Sequence, residues 1–251
     1  MFSGSNGLRC VRMFLLSKYY SHKLSAMQLK QVYDIAPPRV RQYLDAEVSH
    51  VLRKIRPTDL VLELGCGYGR ILPKLAENAR GVVGIDISAP SLKFARHFLH
   101  GISNVSLSRM DAVSLGYRDR TFDRVVCIQN GISAFHVNQR ALISESIRVT
   151  KLRGTVLFSS YSNKFWKDRM KWFELQSQAE LLGEIDYEKT REGMIVCKDG
   201  FTATTVGHQD FSGLTHDLIG DVQITEVDES SLFCEIVPYE RARVTLTRPE
   251  V

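Results

Sequence analysis

Asp59-Leu60-Val61-Leu62-Glu63-Leu64-Gly65-Cys66-Gly67-Tyr68-Gly69 is the stretch that decides the fold. Its first six residues are short, apolar and β-compatible, as expected of a strand covered on both faces. Three glycines at alternate positions follow, and with no Cβ they permit a sharp turn and close approach of a ligand to the main chain. A helical pattern resumes at Arg70-Ile71-Leu72-Pro73-Lys74-Leu75-Ala76. Strand, glycine turn and helix start together predict a nucleotide-type binding corner.

The dehydrogenase fingerprint requires a glycine where Arg70 stands, so the pattern is E-x-G-x-G-x-G instead. Gly81-Val82-Val83-Gly84-Ile85-Asp86 is a second buried strand ending in an acid. A carboxylate there can accept from both hydroxyls of a ribose. On these residues the chain resembles the class I S-adenosylmethionine-dependent methyltransferases. Glu63 to Gly69 match their first motif, and Asp86 their ribose-binding acid. The resemblance implies an α/β fold, a Rossmann-like doubly wound seven-stranded mixed sheet with a reversed last strand. It implies S-adenosyl-L-methionine as cofactor, with Glu63, Gly65, Cys66, Gly67 and Gly69 around its methionine end.

A third strand, Val105–Arg109, ends at Met110-Asp111-Ala112. In the family an acid at that place bonds the adenine amino group, so Asp111 takes that role and Ile87, Ala112 and Ile128 flank the ring. The fourth strand, Phe122 to Ile128, leads into Gln129-Asn130-Gly131, where its carboxyl end faces the ligand crevice. Gln129 joins the cofactor set, and Asn130 is a candidate substrate contact. His136 is a candidate base, because imidazole changes protonation near neutral pH. The Asn/Asp-Pro-Pro-aromatic motif of enzymes that methylate base nitrogens is missing at this point. The loop looks more like that of small-molecule enzymes.

A fifth strand, Thr155–Ser160, follows a turn at Lys151-Leu152-Arg153-Gly154. Residues 162–206 exceed the needs of the core. Aromatic and basic residues alternate amphipathically from Phe165 to Phe173, and Lys198-Asp199-Gly200 signals a hairpin turn. A lid over the substrate is expected there. Near the end, a helix at Gln209–Ile219 precedes two strands, Val222–Val227 and Leu232–Val237, whose short connection implies an antiparallel pair. Upstream, Pro37-Pro38 opens a helix carrying Val40, Tyr43, Leu44, Val48, Val51 and Leu52. The family uses such a segment to cap the cofactor, which makes Tyr33, Arg41 and Tyr43 candidate substrate contacts. The expected organisation is a poorly ordered leader at 1–25, a helical cap at 26–57, a core at 58–161 and 207–240, and a lid at 162–206.

The chain has 251 residues, 44% of them hydrophobic and 24% charged, in the ordinary globular range. No apolar run is long enough to span a bilayer. Cys10, Cys66, Cys127, Cys197 and Cys234 form no C-x-x-C pair, which argues for a reducing, cytoplasmic setting without zinc or disulfides. The histidines show no metal-ligand spacing, so no metal is expected. Of the net charge of +5, residues 1–56 contribute ten Lys/Arg against three Asp/Glu, so the core is not basic. That weighs against a nucleic-acid partner. The expectation is methyl transfer to an oxygen, nitrogen or sulfur of a small molecule. RNA or protein methylation, and a non-catalytic S-adenosylmethionine-binding protein, are the alternatives. A homodimer is an open alternative to a monomer.

Overall fold

The computed structural model describes residues 19, 23–218 and 220–240, and the leader expected at 1–25 falls almost wholly outside them. The described helices are α1 (Met27–Asp34), α2 (Pro38–Leu52), α3 (Leu72–Ala76), α4 (Ala89–Phe98), α5 (Gly131–Ala134), α6 (Gln139–Val149), α7 (Trp166–Gln178) and α8 (His208–Thr215). The strands are β1 (Leu60–Leu64), β2 (Gly81–Asp86), β3 (Val105–Arg109), β4 (Phe122–Cys127), β5 (Thr150–Tyr161), β6 (Met194–Val196), β7 (Thr202–Thr204), β8 (Gly220–Val227) and β9 (Ser231–Pro238). Seven of them form one sheet in the order β3-β2-β1-β4-β5-β9-β8, while β6 and β7 pair apart as a hairpin. β1 to β5 are parallel, and β9 runs antiparallel to both β5 and β8. The mixed sheet with its reversed last strand is thus the one expected.

Alternation along the strands divides the core. Leu62, Leu64, Val125, Cys127, Val156 and Phe158 face the layer of α6 and α8. Val61, Val82, Val126 and Leu157 pack on the other face with Val48 and Val51 of α2. Pro38 occupies the first turn of α2, where a missing N–H costs nothing. Ser88 caps α4, its hydroxyl accepting from Ser91 N.

A third apolar cluster ties the N-terminal helices to the 162–206 segment through Val32, Tyr43, Tyr161, Phe165, Trp172 and Phe201. Trp172 Nε1 donates to the Val32 carbonyl at 2.9 Å, so α7 grips α1 directly.

Some local expectations change. Lys151 to Gly154 is not a turn before β5 but an irregularity inside it, where Phe122 pairs with Thr150 and Arg124 already with Thr155. An added Cβ on Gly154 would stand 2.7 Å from the Asp123 carbonyl, so the bulge fits only glycine. The helix after the glycine turn starts at Leu72 rather than Arg70 and is short. The late helix ends at Thr215, four residues before the expected limit at Ile219, which itself lies outside the described residues.

Candidate functional site

β1 lies between β2 and β4, and the chain runs outward from it in both directions. Such a switch point leaves a crevice beyond the carboxyl ends of the strands. A cavity of about 320 Å³ occupies that place. Its walls include Gly65, Gly67, Asp86, Ile87, Asp111 and Ala112 on one side, and Ile128 and Gln129 at the end of β4. Eight of the eleven residues expected to bind a cofactor therefore meet around one space. Glu63 and Cys66 line an adjoining cavity of about 40 Å³ that shares Tyr33, Gly65, Gly67 and Gln129 with the first. Gly69 borders neither; an added Cβ there would meet Leu99 at 3.0 Å, so it lets the turn pack on α4.

Asp86 organises the loop. One carboxylate oxygen accepts from Gly67 N at 2.8 Å and the other from Ser88 N at 2.7 Å. Each oxygen retains capacity for a further donor. Burial raises the Asp86 pKa, and the two N–H groups oppose that rise. Asp111 accepts from Val113 N at 3.0 Å and so fixes the turn after β3 while facing the cavity.

The small cavity carries unsatisfied charge. Glu63 Oε2, Arg70 Nε and Nη2, and Gln129 Nε2 are buried without hydrogen-bond partners. Burial lifts the Glu63 carboxyl to about 8, although Arg70 pulls it down. Buried groups of this kind are costly unless something completes them. A zwitterionic amino-acid end, with an ammonium for Glu63 and a carboxylate for Arg70 and Gln129, would do so.

α1 closes the glycine loop from above. Leu29 reaches within 2.8 Å of where a Gly67 Cβ would be. Tyr33 donates from its hydroxyl to Gln129 Oε1 at 2.9 Å, and its ring carries the Arg70 guanidinium at 4.7 Å. Tyr33 therefore lines both cavities. Arg41 and Tyr43 line neither. The Arg41 guanidinium is turned back onto the Ala36 and Asp34 carbonyls. Tyr43 is fully buried against Tyr161 and Phe165.

Asn130 and His136 are also placed away from the cavity walls. Asn130 donates to the Thr204 carbonyl at 2.9 Å and accepts from Ser160 Oγ at 2.7 Å, so it clamps β5 to β7. His136 sits at φ 53 between Phe135 and Val137, which do face the cavity. Its pKa is lowered by burial, leaving a neutral ring.

Glu47 was not singled out in the sequence. It is fully buried, and its Oε2 accepts from Gln129 N at 3.0 Å, holding that residue at φ 57. Burial raises its carboxyl from 4.5 to about 7 against the lowering effect of Ser159 and Gln129. Between those values the folded chain keeps a proton that the unfolded chain has lost, so stability falls as pH rises through the window. Glu47→Gln is expected to flatten this slope and to gain on the order of 2–3 kcal/mol over wild type between pH 5 and 8. Glu63 adds a parallel slope, so the variant reduces the dependence without removing it. Denaturant melts at the two pH values test this, and equal slopes would contradict it.

Among the described residues no group of three His, Cys, Asp or Glu is placed to hold a metal, and no helix is long and apolar enough to cross a membrane. Residues 61–154 match the family described as methyltransferase domain. An uncharacterised protein of Methanocaldococcus jannaschii is 28% identical over 147 residues, 56% of this chain and 55% of that one. A ubiquinone biosynthesis O-methyltransferase of Nitrosomonas europaea is 29% identical over 136 residues, 53% of this chain and 54% of its own. The chain thus spans about half the length of the curated relatives it matches. A solved protein of Pyrococcus horikoshii has a TM-score of 0.60 at 23% identity, over 82% of this chain and 94% of that one. The N-methyltransferase NodS of Bradyrhizobium japonicum, in complex with S-adenosyl-L-homocysteine, has a TM-score of 0.52 at 16% identity, over 81% and 89%. These two likenesses concern the fold. Sheet order, glycine loop, acid-ended second strand and matched domain agree, and together they support a class I S-adenosylmethionine-dependent methyltransferase.

Proposed function

We propose that this protein binds S-adenosylmethionine along the carboxyl ends of β1 to β4 and transfers its methyl group to an oxygen, nitrogen or sulfur atom of a small molecule. The observation that carries the reading is one continuous cavity: its walls run from Asp86 and Asp111 to Trp172 and Phe173 of α7, under α1. The name of the Nitrosomonas relative, a ubiquinone biosynthesis O-methyltransferase, supports the acceptor class.

The cofactor, when bound, supplies a methyl carbon already activated by a positive sulfur. The chain then has to position, exclude water and accept charge. Asp86 would accept from the ribose hydroxyls and Asp111 from the adenine amino group, with Ile87, Ala112 and Ile128 flanking the ring. Gly65 and Gly67 would admit the methionine end to the main chain. Glu63, Arg70 and Gln129 would meet its ammonium and carboxylate, which satisfies the buried groups left open there. Tyr33 would stand at the junction with the acceptor space.

Calorimetric titration with S-adenosylmethionine and S-adenosylhomocysteine tests the reading. One-to-one binding of both, followed by S-adenosylhomocysteine formation with small acceptors, is expected. No binding of either would sink it. Binding without turnover on any acceptor would make the protein a non-catalytic binder. His136→Ala is expected to leave turnover within about two-fold of wild type, whereas loss of a general base typically costs about 10²–10⁴-fold. A drop of that larger size would return the histidine to the reaction.

A further inference from the structure

The far end of the cavity differs in chemistry from the cofactor end. Five aromatic side chains line it: Tyr33, Tyr161, Trp172, Phe173 and Phe201. Among the described residues the only charged ones on the cavity walls are Asp86 and Asp111, both at the nucleotide end. Among the described residues no lysine, arginine, histidine or glutamate lines the aromatic end.

Aromatic faces can attract a cation, but here cations already sit on them. Arg169 is fully buried and lies over Tyr161 at 4.4 Å and Phe173 at 5.4 Å, while Arg70 lies over Tyr33 at 4.7 Å. Neither arginine borders this cavity. Three of the five rings therefore have their negative faces engaged by guanidinium groups, which disfavours a second cation. An anion would find no charged partner on the walls and would bear its desolvation unpaired.

Two polar side chains at this end are open among the described residues, the Tyr161 hydroxyl and the Gln176 carboxamide, and of the two only the carboxamide carries both a full N–H donor and a carbonyl acceptor. Gln176 is only 3% exposed, lies on the cavity wall, and its amide makes no side-chain hydrogen bond among the described residues. By contrast, the Tyr33 hydroxyl and Trp172 Nε1 are committed to Gln129 and Val32. A carboxamide is neutral and both donates and accepts, so it suits a hydroxyl or carbonyl.

We infer that the acceptor of this enzyme is a flat, uncharged ring bearing a hydroxyl or carbonyl group, stacked among these aromatic residues and oriented by Gln176. This deepens the proposed function and rests on it for the word acceptor.

The test uses the full chain, with and without S-adenosylhomocysteine, at pH 7, and follows tryptophan fluorescence. The ligands are 2-naphthol, naphthalene, 2-naphthoate and 2-(aminomethyl)naphthalene. 2-Naphthol is expected to bind tightest, with both charged compounds at least about ten-fold weaker. Naphthalene should be weaker by about five- to ten-fold, the worth of one neutral hydrogen bond. Gln176→Leu should bring 2-naphthol down to naphthalene while leaving naphthalene unchanged, a readout that a general loss of packing would not give. A charged compound binding as tightly as 2-naphthol, or no naphthyl compound binding to the wild type, would overturn the inference. Retention of the naphthol preference in Gln176→Leu would remove the glutamine as the orienting group. Failure of S-adenosylhomocysteine to bind would defeat the cofactor reading instead, and the order among the four naphthyl compounds would still decide this one.

Discussion

Gly65→Val is expected to abolish cofactor binding, by about 100-fold or more, while the chain still folds. Gly65 stands at φ 71, in the left-handed region, where a β-branched residue is strained by about 1–3 kcal/mol. Space is equally short. An added Cβ would lie 2.4 Å from two ring carbons of Phe135. The ring faces the cavity, so relief of the clash pushes it into the ligand space or pulls the loop away from it. Overpacking of this kind adds about 1–3 kcal/mol. The strands behind the loop are untouched, so the cost falls on the site. Calorimetry with S-adenosylhomocysteine beside a thermal melt separates the two effects. Wild-type affinity in the variant would show that the loop does not approach the cofactor. Phe135→Ala added to Gly65→Ala should recover part of the loss, because it removes the clash and leaves only the backbone strain.

Asp86→Ala is expected to weaken S-adenosylhomocysteine binding by about 10²–10³-fold. Hydrogen bonds to a charged group contribute about 1.5–3 kcal/mol each, and two to the ribose would be lost. The substitution also releases Gly67 N and Ser88 N, which the carboxylate now holds. A modest stability cost of about 1–3 kcal/mol should accompany it for that reason. Asp86→Asn keeps the shape and one acceptor, so it should stand between wild type and alanine in both measurements. Burial raises the Asp86 pKa, so affinity should begin to fall on acidification above the ordinary aspartate range. Unchanged affinity in Asp86→Ala would take the residue out of the site.

The parts of this site that could be read from sequence are local. The glycine turn, Asp86 and Asp111 each follow directly from a strand whose apolar run marks its own end. What could not be read depends on contacts distant in sequence. Arg70 looked only like a missing glycine, yet its guanidinium is placed beside Glu63 and over Tyr33. Asn130 seemed free to meet a substrate because nothing upstream announced that the hairpin strand β7 would arrive to take its amide. Glu47 did leave a trace. It falls on the apolar stripe of α2, among Tyr43, Leu44, Val48 and Val51, where a carboxylate has to be buried. A charged residue at such a position points to a buried partner, here the backbone of Gln129. The Arg41 and Tyr43 assignments failed to reach the cavity because helical periodicity gives a face, not the neighbour that face meets.

The reversed strand also governs the order in which the sheet can be completed during synthesis. β8 leaves the ribosome before β9, yet it touches the main sheet only through β9. Residues Val156 to Tyr161 of β5 likewise wait for Ser231 to Ile236. A nascent chain ending near residue 230 would hold the parallel strands but two open edges, the kind of surface that recruits foreign strands. Glu235, which anchors β9 to His50 of α2 and to Lys54 just beyond that helix, arrives in the same segment. Completion of the described sheet is therefore set by β9, not by the glycine turn that follows β1.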